Sequence, residues 1–397
     1  MVNVAILGYG VVGSGVYEVI RKNEKSIEKK TGGKAIRVTH ILDLRDFPDH
    51  EQPALFTKNF DDIINDPDVS IVVEVMGGLS PAYEYSKAAL LAGKNVVTSN
   101  KALVAEHGTE LMAIAKENNI NYLFEASVGG GIPIIRPLSQ CLLANEIEEI
   151  YGILNGTTNY ILTKMITDGA DFESALAEAQ RLGYAERNPE ADVEGHDACR
   201  KIAILASLAS GKFVDWKLVK TEGITKITRS DVAFAAKYHA VIKLIGFAKL
   251  SEDGKVYIRV CPMVIPETNQ LADVNGVFNA ILVKGDSIGD VMFYGRGAGK
   301  LPTASAVVAD VIDAAKHIHT NKLMTWKKVD EDFLVDPDTV ASRFFVRTSD
   351  AAVIRDFEGA EDLGGADGEC FFITQMLPEA DFVKKLDGRG AFIRLLD

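Results

Sequence analysis

Hydrophobic residues in the first third of the chain fall into short runs that are separated by amphipathic segments. Short, nearly continuous apolar runs are typical of strands buried on both faces, and apolar positions at helical spacing between them are typical of crossover helices. The runs are NVAILG, RVTHILD, VSIVVEVMG, NVVTS and NYLFEA. This pattern predicts a doubly wound α/β domain with a parallel sheet over residues 1–130, and the helical pattern of residues 300–322 is expected to pack back on it.

Two further regions follow with a different pattern. Residues 131–299 have longer helical segments and more widely spaced strands, which predict an α+β domain that binds the substrate. In this region helices are expected over FESALAEAQRLG, HDACRKIAILASLASG and VAFAAKYHAVIKLIGFAKL, and strands over KVYIRVCPMVIP, VFNAILVKG and DVMFYG. Residues 325–397 carry patterns for three strands and one helix, which predict a small C-terminal module.

Composition and charge narrow the class of protein. The chain has 397 residues, 47% hydrophobic and 25% charged, which is typical of a globular enzyme with more than one domain. Its net charge of -13 is spread along the chain and argues against nucleic acid or anionic membranes as partners. We find no signal-peptide pattern and no apolar run long enough to span a bilayer, so we expect a cytoplasmic protein. The four cysteines lie far apart, which favours reduced thiols over disulfides or a zinc site.

A glycine motif stands between the first predicted strand and the first predicted helix. Gly8, Gly10 and Gly13 form G-x-G-x-x-G, and the helix begins around Val11 and Val12. Such glycines permit a tight turn and close approach of the backbone to a pyrophosphate, whose charge the helix N-terminus favours. At the start of a βαβ pattern, the motif predicts a Rossmann-type dinucleotide-binding domain.

Two charged residues follow the second predicted strand. Asp43 ends that strand and would bind the ribose hydroxyls of NAD, whereas Arg45 could neutralise the 2′-phosphate of NADP. Arg45 could equally be a surface arginine in a polar turn. The sequence therefore leaves NAD and NADP both open.

Two lysines are candidates for the cation that a nicotinamide enzyme needs near the reacting oxygen. Asp197 and Lys201 are four residues apart at the start of a largely apolar helix, so they share one face, although an ordinary ion pair on the helix surface has the same spacing. Lys101 follows the C-terminal end of a predicted parallel strand, the edge at which ligands bind in open α/β sheets. A surface lysine at a helix start is the alternative for Lys101, although a cation is electrostatically unfavourable there.

One long segment resembles the signature of a known protein family. Residues 179–201, AQRLGYAERNPEADVEGHDACRK, resemble the signature of homoserine dehydrogenases in the spacing of their glycine, asparagine, proline, aspartate and lysine residues. Further segments resemble the family in the same order, and together they span residues 1–322: GYGVVGSGV, TSNKALV, FEASVGGGIPII, ILNGTTNYILT and GRGAGKLPTASAVVADV. The resemblance implies interconversion of L-aspartate 4-semialdehyde and L-homoserine with NADPH or NADH, on the route to threonine, methionine and isoleucine. It also implies a homodimer or a dimer of dimers, with residues 131–299 as the substrate-binding and dimerisation domain.

The resemblance assigns roles to individual residues. Lys201 would donate the proton to the aldehyde oxygen, and Lys101 would lie beside the nicotinamide and the substrate. Glu186, Asp192 and Asp197 would hold the amino-acid end and the hydroxyl of homoserine. The implied cofactor contacts are Gly8, Gly10, Val11, Val12, Gly13, Asp43, Arg45, Gly77, Lys101, Gly183 and Gly297.

The segment FEASVGGGIP resembles the family's monovalent-cation loop. The resemblance implies sodium or potassium, with a structural role, held by Glu125 and by the carbonyl groups of Val128, Gly130 and Ile132. Oxygen ligands suit a hard cation, and glycine-rich backbone can turn its carbonyls inward. A glycine-rich connection with Glu125 as a helix cap is the alternative.

The C-terminus departs from the family pattern. Many bacterial members append a threonine-sensing ACT domain, but residues 341–397 are short for its two βαβ units. We expect a trimmed ACT-like module that serves mainly oligomer contacts, with weak or absent inhibition by threonine. Two other functions are alternatives: a related semialdehyde reductase, against which the full signature through Lys201 argues, and a catalytically silent metabolite sensor, which has little need of both Lys101 and Lys201.

Overall fold

The computed structural model describes residues 1–330, 332–366 and 368–396. The chain divides into two compact units. The first comprises Met1–Asn145, Ala203–Trp216 and Gly295–Asp330. The second comprises Glu146–Ile202, Lys217–Tyr294 and the described residues from 332 onward, which we call the C-terminal segment. Within the described ranges, no helix is long and apolar enough to cross a membrane.

The first unit is built on a parallel sheet of six strands. The strands lie in the order β3-β2-β1-β4-β5-β6, with the reversal of strand order between β1 and β4. The predicted doubly wound Rossmann-type domain is therefore confirmed. Its elements are β1 (Val2–Leu7), α1 (Val11–Lys22), α2 (Glu24–Lys30), β2 (Ile36–Leu42), β3 (Phe56–Thr57), α3 (Asp61–Ile64), β4 (Val69–Glu74), α4 (Ala82–Leu91), β5 (Asn95–Thr98), α5 (Lys101–Glu117) and β6 (Tyr122–Leu123).

The second unit contains a mixed sheet of ten strands with helices. The order along the sheet is β12-β11-β7-β9-β10-β18-β14-β16-β15, and β8 pairs separately with β10. Helix α9 contributes residues to both units. The elements up to β12 are β7 (Ile147–Ile153), α6 (Gly156–Asp168), α7 (Phe172–Arg181), α8 (Glu190–Val193), α9 (His196–Ser210), β8 (Lys220–Thr221), α10 (Arg229–Lys237), β9 (Ala240–Leu250), β10 (Val256–Pro266), β11 (Phe278–Gly285) and β12 (Gly289–Arg296).

Helix α11 (Lys300–Lys316) belongs to the first unit and packs on α1. The approach is close because α1 carries Gly15 at the contact. A Cβ atom there would lie 2.9 Å from the Lys300 carbonyl oxygen and 3.0 Å from the Ala304 Cβ. The buried side of α11, including Val307 and Val311, joins the hydrophobic core beneath β1 and β4. The helix behind the glycine-rich turn thus completes one face of the dinucleotide-binding sheet.

The C-terminal segment continues the sheet of the second unit. Strand β18 pairs in parallel with β10, at Met263 with Arg394 and at Val264 with Leu395. The described C-terminal residues form more strands than the three expected from the sequence, and the ACT-like identity of the segment stays a prediction. Its elements are β13 (Ala341–Ser342), β14 (Phe344–Thr348), β15 (Glu361–Ala366), β16 (Glu369–Ile373), β17 (Leu377–Pro378), α12 (Glu379–Leu386) and β18 (Ala391–Leu395).

One predicted helix is wrong over much of its length. The helix expected over residues 232–250 ends at Lys237, and His239 has a left-handed φ of 53° before β9 begins at Ala240. Strand β9 is covered on both faces, so its sequence lacks the alternation that marks a half-exposed strand. Gly246 within it allows close packing, since a Cβ there would lie 3.1 Å from side-chain atoms of Leu154 and Ile202.

Candidate active site

The glycine motif of the first unit forms the tight turn that the sequence predicts. Gly8 has a φ of 95°, and a Cβ on Gly13 would overlap the carbonyl oxygen of Gly8. Gly10 is the N-cap of α1, whose first turn begins with Val11 and Val12. The turn therefore brings the N-terminus of α1 to the C-terminal edge of β1, where backbone N–H groups and the helix dipole favour a phosphate.

Asp43 and Arg45 form one hydrogen-bonded unit after β2. Asp43 Oδ1 accepts hydrogen bonds from the backbone N–H of Arg45 (3.0 Å) and from its Nε (2.9 Å). Asp43 Oδ2 accepts from Arg45 Nη2 (2.9 Å) and from the backbone N–H of Tyr9 (2.8 Å). The hydrogen bonds from Arg45 hold the pKa of Asp43 well below its ordinary value. The carboxylate uses about four acceptor positions, so these four bonds occupy it fully.

A cleft of about 400 Å³ opens beside this pair. It lies at the carboxyl end of β2, where Rossmann domains bind the adenosine ribose. Arg45 and Lys58 border it, paired with Asp43 and Asp46 respectively, and the side chain of Arg45 is 63% exposed. Its lining residues are Asp43, Arg45, Asp46, Phe47, Pro48, Pro53, Phe56, Thr57 and Lys58.

A buried carboxylate organises the neighbouring edge of the same sheet. Glu74, the last residue of β4, is fully buried, and burial raises its pKa. It accepts hydrogen bonds from the backbone N–H of Met76 (2.9 Å) and from Thr98 Oγ1 (2.7 Å). Thr98 Oγ1 in turn accepts a hydrogen bond from the backbone N–H of Asn100 (2.9 Å). One side chain thus ties the turn after β4 to the end of β5.

Lys101 and Gly77 lie at the two ends of this network. Asn100 caps α5 by accepting from the Leu103 N–H (3.1 Å), and its Nδ2 donates to the Gly78 carbonyl (2.6 Å). Lys101 is the first residue of α5 and is partly exposed. Gly77 and Gly78 both have left-handed φ values, 80° and 72°, which favour glycine. The turn and the helix start are therefore fixed relative to each other.

The loop that resembles a cation site is densely packed. Glu125 is buried, and its Oε1 accepts from the N–H groups of Ile134 (2.6 Å) and Ile135 (2.8 Å), while Oε2 accepts from that of Arg136 (2.8 Å). Glu125 thus caps the helical turn that follows. A Cβ on Gly130, whose φ is 57°, would overlap the carbonyl oxygen of Gly297. This close approach and the positive φ explain why position 130 is glycine.

The charged side chains of the signature segment meet at the start of α9. Lys201 Nζ lies 2.8 Å from Asp197 Oδ2 and donates a hydrogen bond to the Leu154 carbonyl (2.8 Å). Lys201 is 8% exposed and Asp197 is 3% exposed. A surface ion pair, the alternative to a functional pair, does not fit this burial. Burying a pair of charges is costly, so such pairs often mark functional positions.

Asn155 joins the second aspartate of the signature to this pair. Its Nδ2 donates to Asp192 Oδ1 (2.7 Å) and to Asp197 Oδ2 (2.9 Å), and its Oδ1 accepts from the Thr158 N–H (2.9 Å) at the start of α6. One amide, fixed by the helix it caps, therefore sets the spacing of two carboxylates. The structure brings together Asp192, Asp197 and Lys201 around Asn155.

Glu186 and Gly183 occupy the exposed loop between α7 and α8. Gly183 has a φ of 77° after the end of α7, and the Glu186 side chain is exposed. The Glu186 carbonyl accepts a hydrogen bond from Gln180 Nε2 (3.0 Å). Thr157 Oγ1 holds the same loop through the Tyr184 carbonyl (2.6 Å). The loop is thereby anchored to α6 and α7, with the carboxylate of Glu186 facing solvent.

Sequence reasoning missed the polar residues that hold the site together. Glu74, Asn100 and Asn155 contact residues far along the chain, and no motif identified their roles in advance. The available signal was a polar residue directly at the end of a strand, as at Glu74, or directly before a helix, as at Asn100 and Asn155. Such positions are typical of helix caps and of ligand-binding edges, but the partners depend on the fold.

Two family models match the chain. One, described as "Homoserine dehydrogenase, NAD binding domain", matches residues 8–125, and the other, described as "Homoserine dehydrogenase", matches residues 133–312. Among curated relatives, the homoserine dehydrogenase of Synechocystis is 47% identical over 317 residues, which cover 79% of this chain and 73% of the relative.

Solved structures resemble the chain as well. A homoserine dehydrogenase from Thiobacillus denitrificans has a TM-score of 0.90 and 36% identity, covering 100% of this chain and 98% of that one. A hyperthermophilic archaeal homoserine dehydrogenase in complex with NADPH has a TM-score of 0.67 and 30% identity, covering 79% of this chain and 97% of that one.

Proposed function

The chain belongs to the homoserine dehydrogenase family, and from this premise we propose that Asp192, Asp197 and Lys201 form its active site. The protein is an NAD(P)-dependent oxidoreductase that interconverts L-homoserine and L-aspartate 4-semialdehyde, on the route to threonine, methionine and isoleucine. The observation that carries the site is the buried Lys201 ammonium between Asp197 and the Leu154 carbonyl.

Lys201 acts on the oxygen of the reacting carbon. The bound nicotinamide supplies the hydride to this carbon in one direction and accepts it in the other. Negative charge that develops on oxygen is stabilised by a nearby cation, and Lys201 Nζ donates the proton that completes the hydroxyl. In the reverse direction the lysine takes that proton back. Asp197, 2.8 Å away, keeps the ammonium in place.

The carboxylates of the signature hold the substrate. Homoserine carries an ammonium group and a hydroxyl, which are matched by carboxylates near one end and a cation near the other. We assign Asp192 and Glu186 to the ammonium end and Asp197 to the hydroxyl end. The Asn155 amide supports this assignment because it holds Asp192 and Asp197 at a fixed spacing.

Lys101 belongs to the nicotinamide end of the cofactor site. It begins α5 at the carboxyl edge of the parallel sheet, directly after the Glu74–Thr98–Asn100 network. A cation there would act on the substrate beside the nicotinamide ring. Gly183 and Gly297 are proposed to approach the cofactor by backbone alone, as the family resemblance implies.

For the cofactor we propose a preference for NADP over NAD. Asp43, which would bind the ribose hydroxyls of NAD, already accepts four hydrogen bonds, two of them from the Arg45 side chain. Arg45 borders the cleft, as does Lys58, which pairs there with Asp46 (2.7 Å). Both cations are at least half exposed, and a charge-assisted hydrogen bond from either favours a 2′-phosphate over a hydroxyl. The similar archaeal homoserine dehydrogenase was solved with NADPH, which agrees with this preference.

A monovalent cation is proposed at the loop of Glu125, Val128, Gly130 and Ile132. Three backbone N–H groups use three of the roughly four acceptor positions of the Glu125 carboxylate, so capping and cation binding are compatible. The donor set is all oxygen, which suits sodium or potassium. Replacing both ions by a tetraalkylammonium salt should lower thermal stability in the wild type but not in Glu125→Gln.

For assembly we propose a homodimer or a dimer of dimers, on the family resemblance, with the C-terminal segment contributing contacts. Light scattering on the purified full chain distinguishes these states from a monomer. The cytoplasmic location also stays a prediction.

The reaction itself is tested by steady-state kinetics with purified protein. We expect oxidation of L-homoserine and reduction of L-aspartate 4-semialdehyde, with a higher kcat/KM for NADP(H) than for NAD(H), and little turnover of L-serine or L-threonine. A related reductase would prefer a different semialdehyde. A silent sensor would bind cofactor without turning over either substrate, and either outcome would refute the proposal.

A further inference from the structure

A buried network of charges joins the C-terminal segment to the central strand of the second unit. Glu379 of α12 accepts hydrogen bonds from Arg259 of β10 (2.6 Å) and from Arg394 of β18 (2.6 Å), and all three side chains are at most 3% exposed. Although burial favours the neutral acid, the hydrogen bonds from Arg394 and Arg259 hold the pKa of Glu379 well below its ordinary value. The ammonium of Lys220 also contacts Glu379 (3.2 Å) but is paired with Asp338 as well, so the two buried guanidinium groups still leave a positive charge to be balanced.

Glu222 supplies the balancing charge from outside the C-terminal segment. Its carboxylate accepts hydrogen bonds from Arg259 Nη2 (3.2 Å) and from Arg394 Nη1 (3.0 Å). The Glu222 side chain is 37% exposed, whereas both arginines are buried. Glu222 therefore closes the network on the side that faces the loop after β8.

This loop packs directly on the connection between α8 and α9. The Ile224 N–H donates to the Val193 carbonyl (2.8 Å), and Thr225 Oγ1 donates to Glu194 Oε1 (3.0 Å). A Cβ on Gly223 would overlap the Val193 carbonyl oxygen. The backbone of the loop after β8 is thus in direct van der Waals contact with that of the connection between α8 and α9. A displacement of one segment therefore displaces the other.

The connection between α8 and α9 leads straight to the substrate groups. Asp192 precedes Val193, and Gly195 is followed by the helix that carries Asp197 and Lys201. Gly195 is itself confined, since a Cβ there would lie 3.1 Å from the Thr221 Cγ2. The path from Arg394 through Glu222 to this connection therefore ends at the residues that bind homoserine.

We propose that Glu222 is a positioning residue that couples the C-terminal segment to the substrate-binding connection between α8 and α9. The inference rests on the proposed substrate roles of Asp192, Asp197 and Lys201. The C-terminal segment then contributes to the dehydrogenase reaction in two steps. Its arginine Arg394 holds Glu222 in position, and Glu222 holds the loop after β8 against the connection that carries the signature residues. A change at Glu222 should therefore alter the KM for homoserine and leave the KM for the cofactor unchanged.

A role of Glu222 in stability alone can be distinguished from the proposed positioning role, because a second ion pair also holds the C-terminal segment in place. Arg347 of β14 bonds to Asp231 (2.9 Å) and to Glu369 (2.7 Å), and neither partner touches residues 193–195 in the hydrogen bonds of the described chain. Glu369 has an exposed fraction similar to that of Glu222, 28% against 37%. Glu369→Gln is therefore the matched control for Glu222→Gln.

The test is steady-state kinetics of homoserine oxidation by the full-length enzyme. Glu222→Gln should lower kcat/KM for homoserine about tenfold, chiefly through KM, because small displacements far from the reacting atoms are costly. The KM for NADP⁺ should stay within about twofold, and the melting temperature should change no more than in Glu369→Gln. Thr225→Val, at an exposed position, should shift the homoserine KM in the same direction, about threefold.

The double variant tests the coupling. If Glu222 and Thr225 lie on one path, Glu222→Gln/Thr225→Val should resemble the larger single effect rather than their product. Equal changes in Glu222→Gln and Glu369→Gln, or an unchanged homoserine KM in both Glu222→Gln and Thr225→Val, would overturn the proposal. Lys201→Ala in the same assay separates the two failures: turnover retained by that variant refutes the assigned site, whereas its loss with a silent Glu222→Gln refutes only the coupling.

Discussion

Replacing Arg45 by alanine tests the basis of cofactor preference. In the structure the guanidinium donates two hydrogen bonds to Asp43 and borders the cleft at the carboxyl end of β2. The substitution removes a cation that would face the 2′-phosphate of NADP. It also releases two acceptor positions on Asp43, which become available to the 2′- and 3′-hydroxyls of an NAD ribose. We therefore expect kcat/KM for NADP⁺ to fall and kcat/KM for NAD⁺ to be retained or to rise.

The magnitude follows from the kind of bond and from its exposure. A hydrogen bond between a charged donor and a phosphate contributes about 1.5–3 kcal/mol, and the low end applies because 63% of the Arg45 side chain is exposed. About 1.5 kcal/mol corresponds to about a tenfold loss of kcat/KM for NADP⁺. Because Asp43 keeps its bonds from two backbone N–H groups, the carboxylate stays oriented, and kcat/KM for NAD⁺ should be unchanged or up to about threefold higher.

The assay is homoserine oxidation at saturating homoserine, with each cofactor varied in turn. Arg21→Ala serves as the control, since Arg21 is a half-exposed arginine of the same unit that pairs with Glu51 away from this cleft. A fall for NADP⁺ with NAD⁺ retained supports the argument. An equal fall for both cofactors, or no change for either, would show that Arg45 does not set the cofactor preference.

Three further predictions follow from buried groups. Burial lowers the pKa of Lys243 from 10.5 to about 8. The penalty for burying the ammonium therefore disappears between pH 8 and pH 10.5, and over this range the free energy of unfolding of the wild type should rise by about 3 kcal/mol relative to that of Lys243→Met. Denaturant titrations in which the two proteins show the same pH dependence would contradict this prediction. Gly130→Ala should destabilise by about 2 kcal/mol or more in the same titrations, because φ is 57° and Gly297 blocks the added methyl. Asn155→Ala should raise the homoserine KM about tenfold, and Asn155→Asp should be worse because it adds a third carboxylate; equal kinetics in the two variants would argue against that electrostatic reasoning.

Local patterns were enough to predict the parallel sheet of the first unit, apart from the two-residue strand β3. Its strands are buried on both faces and its glycines occupy positions that only a tight turn explains, so periodicity and one motif identified the sheet, the turn and the end of β2. The same reasoning failed at residues 240–250, where a strand covered on both faces has no alternation to separate it from a helix. The spacing of Asp197 and Lys201 placed them on one face, but only the structure shows that the pair is buried.

The roles of residues that contact partners far along the chain could not be predicted from the sequence. Glu222 meets Arg394, 172 positions away, and Asn155 meets Asp197, 42 positions away. Neither position belongs to a local pattern that singles out its partner. The pairing of β18 with β10 is of the same kind, since two short parallel contacts decide that the C-terminal strands extend the sheet of the second unit. Such contacts are fixed by the tertiary fold, which local periodicity does not encode.

In the proposed mechanism, Lys201 moves the proton of the reaction. The most direct measurement compares wild type and Lys201→Ala in reduction of L-aspartate 4-semialdehyde by NADPH, together with NADPH binding followed by its fluorescence. We predict a loss of turnover of about a thousandfold or more, with the Kd for NADPH within about twofold, because the lysine serves the reacting oxygen rather than the cofactor. Turnover close to that of the wild type in Lys201→Ala would contradict the account.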